Sequence, residues 1–211
     1  MIRRQNSGMT ERATSPALRG GLLALLAALL FGLSTPLVHD GVMFVHAFKD
    51  ILQAVDAATG DILWQYTYRL PKDVTPDPKK SIAIYGSLVF MPTSDAHIVA
   101  LDVKTGALVW NTGVGQEGYP MSGGPIVARG KVIFGTRGPK PAIVALDAST
   151  GKEAWRFNTI PKPGEPNYDT WNNMPYEARK GGTIWTPGSY DSHNPLFALL
   201  ATPGAGGQGQ F

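Results

Sequence analysis

The side chains able to do chemistry are few here and poorly spaced for most of it. His39, His46, His97 and His193 are the only imidazoles, and their scatter lacks metal-ligand spacing, so they read as surface or hydrogen-bonded groups rather than a zinc site. Cysteine is absent, which removes disulfides, thiolate metal sites, cysteine nucleophiles and lipid attachment at an N-terminal Cys. Neither a Ser-His-Asp arrangement nor a phosphate loop is visible. Glu165 and Asp169 sit in a proline-rich stretch and read as ordinary loop acids. The acids with a pattern are Asp56, Asp102 and Asp147, each inside one recurring phrase: AVDAATGDILW (54–64), ALDVKTGALVW (100–110) and ALDASTGKEAW (145–155).

The Asp residues lie 46 and 45 residues apart, and so do Trp64, Trp110 and Trp155, which defines a repeat. In each copy an apolar run ends at the Asp, a Thr-Gly pair follows, and a second apolar run ends in Trp. That is a hairpin: the Asp carboxylate and Thr hydroxyl take up turn N–H groups, and Gly60, Gly106 or Gly151 supplies the positive φ. These acids are turn caps rather than catalytic acids. Further strand signals precede each hairpin: GVMFV (41–45); SLVFM (87–91) and HIVAL (97–101); GPIVA (124–128), KVIFG (131–135) and AIVAL (142–146). About four short strands per period indicates a β-propeller blade, whose faces need neighbouring blades to cover them. The three Trp rings are expected to wedge between blades.

Composition agrees with an all-β class: 43% hydrophobic, 17% charged, with 25 Gly and 17 Pro to supply turns. The net charge of +3 is accounted for by Arg3, Arg4, Arg12 and Arg19 against Glu11, so residues 1–19 form a basic leader and the remainder is neutral. A nucleic-acid partner is therefore unsupported. Residues 20–38 carry no charge, and GLLALLAALLFGL (21–33) is a run of good helix formers. It fits the apolar core of a secretory signal or, over its full length, a membrane anchor. The organisation expected is a leader (1–19), a signal or anchor helix (20–34), a partial propeller of about three to four four-stranded blades (35–195) and a Gly-rich, disordered tail (196–211).

Three further stretches, TPLVHDGVMFV (35–45), FNTIPKPGEPNYDTW (157–171) and GGTIWTPGSYD (181–191), resemble the PQQ-dependent alcohol dehydrogenases, quinoproteins of the pyrroloquinoline quinone (PQQ) propeller superfamily. The resemblance runs from about Thr35 to Asp191. It implies an eight-bladed propeller with PQQ on its axis, an alcohol substrate, hydride transfer to the quinone, a periplasmic location and an electron acceptor such as a cytochrome c or a quinone. It also implies cofactor-binding roles: Trp185 as the aromatic floor, with Thr183 and Ser122 as hydroxyls at the cofactor edge. Arg137 follows an adjoining strand, where a guanidinium suits a carboxylate. Read without the family, Trp185 is equally a packing residue, Ser122 and Thr183 turn hydroxyls and Arg137 a solvated loop cation.

The chain departs from the family pattern at several points. Lys140 falls about where many relatives carry a Glu ligand to Ca²⁺, and a cation there opposes metal binding. The family's Asn ligand and catalytic Asp belong to sequence beyond residue 211, so neither catalytic nor metal residues are assigned. After Asp191 the repeat pattern is lost. These features read as a fragment, inactive alone, with an apolar sheet face open at each end. The alternative is a non-catalytic propeller scaffold that binds other proteins.

Overall fold

The computed structural model describes residues 37–77, 81–114, 123–184, 186–190 and 197–198. The leader, the expected helix at 20–34, most of the tail, and two of the four candidate cofactor residues, Ser122 and Trp185, lie outside them. Among the described residues no helix is long and apolar enough to cross a membrane.

Each repeat folds as a meander because its apolar runs alternate inward and outward and are joined by tight polar turns. The first sheet is β1 (Leu37–His39), β2 (Val42–Ala47), β3 (Ile51–Asp56) and β4 (Ile62–Thr67). The second is β5 (Ala83–Tyr85), β6 (Leu88–Pro92), β7 (His97–Asp102) and β8 (Leu108–Gly113). The third is β9 (Ile126–Ala128), β10 (Lys131–Gly135), β11 (Ala142–Asp147) and β12 (Glu153–Asn158). A fourth sheet is begun by β13 (Ser189–Tyr190) and β14 (Phe197–Ala198). All pairs are antiparallel and sequential. In each full sheet the last pair shifts register at the same phase, between Ala54 and Val55, Ala100 and Leu101, or Ala145 and Leu146, a bulge that bends the outer edge just before the Asp turn.

The turns form as their side chains dictate. Asp102 Oδ1 accepts from the Lys104 and Thr105 amides and the Thr105 hydroxyl at 3.1, 2.9 and 2.8 Å; Asp147 Oδ1 does the same with the amides and hydroxyls of Ser149 and Thr150. Asp56 Oδ1 takes the Ala58 and Thr59 amides. Each turn is tied to the preceding one of its own blade by an amide after the Asp: Ala57 to Gly41 O, Val103 to Ser87 O and Ala148 to Gly130 O, all at 2.9 Å.

Two interfaces hold the blades face to face. Phe44, Leu52, Ala54, Trp64 and Tyr66 of the first meet Ile82, Val89, Met91, Val99 and Leu101 of the second. Phe90, Ile98, Ala100 and Trp110 of the second meet Val132, Phe134, Val144, Leu146 and Ala148 of the third. The Trp of one blade lies under the hairpin of the next. Trp64 Nε1 donates to Val103 O at 2.9 Å, and Trp110 Nε1 to Ala148 O at 3.0 Å. A Cβ on Gly106 would stand 2.6 Å from Trp64 Cε3, so this glycine serves both the positive φ of its turn and the indole beneath it. Trp155 departs from expectation: it is 41% exposed, because no fourth hairpin stands beside it among the described residues.

Candidate functional site

The antiparallel order separates two ends of the blades. At one end lie the β1–β2 and β3–β4 turns, with the Asp caps and their Trp bolts. The other end carries the β2–β3, β6–β7 and β10–β11 turns together with the long connections between blades. The repeated phrase, the most visible signal in the sequence, is thus entirely architectural. The second end is the one where the blades differ.

That end is held by a polar chain crossing three blades. Asp50, 2% exposed, accepts from the Ser94 amide and hydroxyl at 2.7 and 3.1 Å, with His46 Nε2 3.8 Å from its Oδ1. Ser94 Oγ accepts from the Asp77 amide at 2.9 Å. Asp77 Oδ2 in turn lies 3.9 Å from Arg137 Nη1. In the second blade Asp95 gathers the Thr93 and Tyr68 hydroxyls at 2.5 and 2.9 Å; burial, then the Asp95 charge and hydrogen bond, pushes the Tyr68 phenol up to about 12.

Arg137 and Thr183 are brought onto one piece of structure. Gly135 ends β10 two residues before Arg137, and a Cβ there would lie 2.3 Å from Ile184 Cβ and 3.0 Å from Ile184 O. Ile184, 1% exposed, is therefore seated on the strand end, with half-buried Thr183 beside it. Arg137 is 40% exposed on its side chain and only loosely paired with Asp77, so its guanidinium remains available to a competing anion.

Lys140 acts on the backbone of the adjoining loop. Its ammonium donates to Tyr176 O and to Arg179 O, the latter at 3.0 Å, and sits 4.0 Å from the Tyr176 ring centroid. Arg179, 2% exposed, donates to Met174 O and Tyr168 O at 2.9 Å each and stacks 4.0 Å from the Tyr168 ring centroid. Lys140 ties the loop to the third blade at Tyr176 and Arg179, while Arg179 holds the loop together from within through Tyr168 and Met174. Among the described residues no three His, Cys, Asp or Glu side chains gather as a metal site.

Three contributors escaped the sequence reading. Arg179 was signalled by a basic pair immediately before GGTIW and by Tyr168, Trp171 and Tyr176 offering ring faces. Asp77 carried no signal. Ser81 stands two residues before the first paired residue of β5, as Gly124 does before β9, and a Cβ on Gly124 would overlap its hydroxyl at 1.6 Å. Its Oγ is buried with no hydrogen-bond partner among the described residues.

These donors suit a flat polycarboxylate: a guanidinium, a half-buried threonine hydroxyl, and an orphaned serine hydroxyl where an innermost strand begins. Residues 28–202 match the PQQ family of glucose/ethanol/alcohol dehydrogenase β-propeller domains. The dehydrogenase subunit of alcohol dehydrogenase (quinone) from Gluconacetobacter polyoxogenes is 36% identical over 188 residues, 74% of this chain and 26% of that protein. Quinohemoprotein alcohol dehydrogenase ADHIIG of Pseudomonas putida HK5 superposes with a TM-score of 0.68 at 30% identity, over 76% of this chain and 27% of that structure; its counterpart from Comamonas testosteroni gives 0.64 at 29%, over 76% and 28%. The chain thus spans about a quarter of the length of the curated relatives it matches. From the repeat, the four-stranded blades and a match that extends beyond the first repeat on both sides, the chain belongs to the PQQ-type glucose/ethanol/alcohol dehydrogenase β-propeller family.

Proposed function

We propose that this chain forms the cofactor-floor region of a periplasmic PQQ-dependent alcohol dehydrogenase, that it binds PQQ at the blade end carrying Thr183 and Arg137, and that it does not turn over alcohol by itself. The observation that carries the reading is the seating of Ile184, which follows Thr183, on Gly135, two residues before Arg137. Trp185, the residue after Ile184, is the proposed floor, and Ser122 a second edge hydroxyl. The chemistry such a cofactor supplies when bound is acceptance of a hydride from the alcohol. The chain's own share is to offer Arg137 and Thr183 as donors to carboxylate and carbonyl oxygens, with Lys140 tying to the third blade the loop that leads to Thr183. Residues 20–38 are the proposed signal or membrane anchor, with a cytochrome c or quinone as electron acceptor in the completed enzyme.

The second reading, a non-catalytic scaffold, is favoured by Lys140, whose ammonium is engaged by backbone carbonyls where the family resemblance implies a carboxylate ligand to Ca²⁺. Titration of the full chain with PQQ, with and without Ca²⁺, separates the two through quenching of Trp fluorescence. Saturable micromolar binding, weakened in Trp185→Ala and Thr183→Val, supports the quinoprotein site. A folded, monodisperse chain that leaves PQQ unbound favours the scaffold.

A further inference from the structure

The interface between the first and second blades holds an open cleft of about 460 Å³ at its Asp-turn end, a size within the range of small-molecule sites. Its walls are apolar: Val42 and Leu63 on the first blade, Val103 on the second, and Trp64 between them. The indole is fixed by its bond to Val103 O and by Gly106 against its ring. Three titratable side chains line the cleft: His39, Asp40 and Lys104. Asp40 Oδ2 has His39 Nε2 at 3.4 Å, whereas the Lys104 ammonium has no hydrogen bond or ion pair among the described residues.

The repeat shows what bridges this place one blade further on. His39 and Tyr85 are equivalent, each the last residue of its blade's first strand, opposite Val42 and Leu88. Half-exposed Tyr85 reaches toward the third blade, its hydroxyl 3.9 Å from where a Cβ on Gly130 would stand. In the first interface the shorter imidazole is turned to Asp40 instead, and Gly86 and Ser87 of the facing turn line the cleft with it. A Cβ on Gly86 would meet nothing within 4 Å, so the open space extends over that glycine. A gap that a phenol ring spans in the second interface is thus unspanned in the first, beside a cation with no partner.

We propose that this cleft binds a small aromatic carboxylate, its ring against Leu63, Trp64 and Val103 and its carboxylate on the Lys104 ammonium. The equivalent phenol of Tyr85 argues for a flat aromatic body, and the unengaged ammonium for a negative charge. Asp40 on the same cleft argues for one carboxylate rather than several, since further negative charge meets repulsion. The cleft lies at the Asp-turn end, opposite the end that carries Arg137 and Thr183, so the inference is independent of any cofactor.

The test is a fluorine-NMR relaxation titration of 4-fluorobenzoate with the full chain in detergent, read against micelles alone. His39→Tyr introduces the ring that the second interface has in Tyr85, and Lys104→Ala removes the cation. Both positions are exposed, so both variants should keep the wild-type β-sheet circular dichroism. Saturable binding is expected in the wild type, lost in His39→Tyr, weakened about 3-fold in Lys104→Ala and unchanged in Arg137→Ala. The neutral analogue 4-fluorobenzyl alcohol should bind about 3-fold more weakly than the benzoate. A wild type without saturable binding overturns the proposal, as does unchanged affinity in either cleft variant. Weakening by Arg137→Ala would move the ligand to the other end of the blades, and an alcohol that binds as tightly as the benzoate would remove the carboxylate from the recognition; either result overturns it too.

Discussion

The Trp110 indole lies on Gly151 so closely that a Cβ at that glycine would stand 2.7 Å from Trp110 Cδ2 and 2.8 Å from Thr112 Oγ1. Backbone conformation and inter-blade contact therefore select the same residue type. Gly151→Ala is expected to lose about 3 kcal/mol, combining about 1 kcal/mol of positive-φ strain with about 2 kcal/mol of overpacking. Gly86→Ala, at φ +59° with nothing within 4 Å of the added carbon, should lose only the strain, about 1 kcal/mol. Urea midpoints compare the two, and equal losses would show that the indole contact is not what Gly151 serves.

The same Trp type at one repeat phase should count differently by position. Trp110, 9% exposed, is expected to cost about 3–5 kcal/mol on truncation to Ala. For Trp155, 41% exposed, about 1 kcal/mol is expected. Chemical denaturation measures both. A Trp155→Ala loss as large as that of Trp110→Ala contradicts the open face.

Acid should loosen the hairpins. The Thr105 hydroxyl and amide hold the Asp102 carboxyl below the usual carboxylate range, and the Ser149 hydroxyl, then Lys131, hold Asp147 lower still. Both groups bind protons less readily folded than unfolded, so their stabilisation is complete above the unfolded carboxylate pKa and disappears as pH falls through the folded values. The urea midpoint should be level above about pH 5 and fall below it, with a shallower fall in Asp147→Asn. A midpoint that rises on acidification contradicts this assignment.

Asp77 restrains Arg137 at 3.9 Å, and its negative charge also opposes a polycarboxylate. Asp77→Asn is expected to tighten PQQ binding about 3–10-fold, and Arg137→Ala to weaken it about 10-fold. Fluorescence titration reads both. Unchanged affinity in Arg137→Ala would remove that residue from the site.

Without the Lys140 ammonium, Tyr176 O and Arg179 O lose their shared donor. Lys140→Met should therefore leave the blades intact while exposing the Arg179–Lys180 bonds to trypsin, several-fold faster than in the wild type. Cleavage at an unchanged rate would show that Arg179 and its aromatic partners hold the loop unaided.

Fold class was legible in the sequence because its determinants are local. Alternation fixes the strands, Asp-x-x-Thr-Gly fixes the turn within five residues, and a constant period fixes the blade. Each of these needs only neighbours along the chain, and Asp102, Asp147 and the three sheets appear as read. Inter-blade packing was legible for Trp64 and Trp110 but not for Trp155, since covering a ring depends on whether another blade stands beside it, and periodicity does not report that. The candidate site was legible only in part. Ile184 packs on Gly135, two residues before Arg137, a contact between residues 49 positions apart with no local signature. The distances that decide what Lys140 and Arg179 do run through backbone carbonyls, which every residue carries and no sequence pattern marks. The sequence by itself thus determined how this chain pleats and turns; only the tertiary structure decided which polar groups share a blade end, and which Trp rings a neighbouring blade covers.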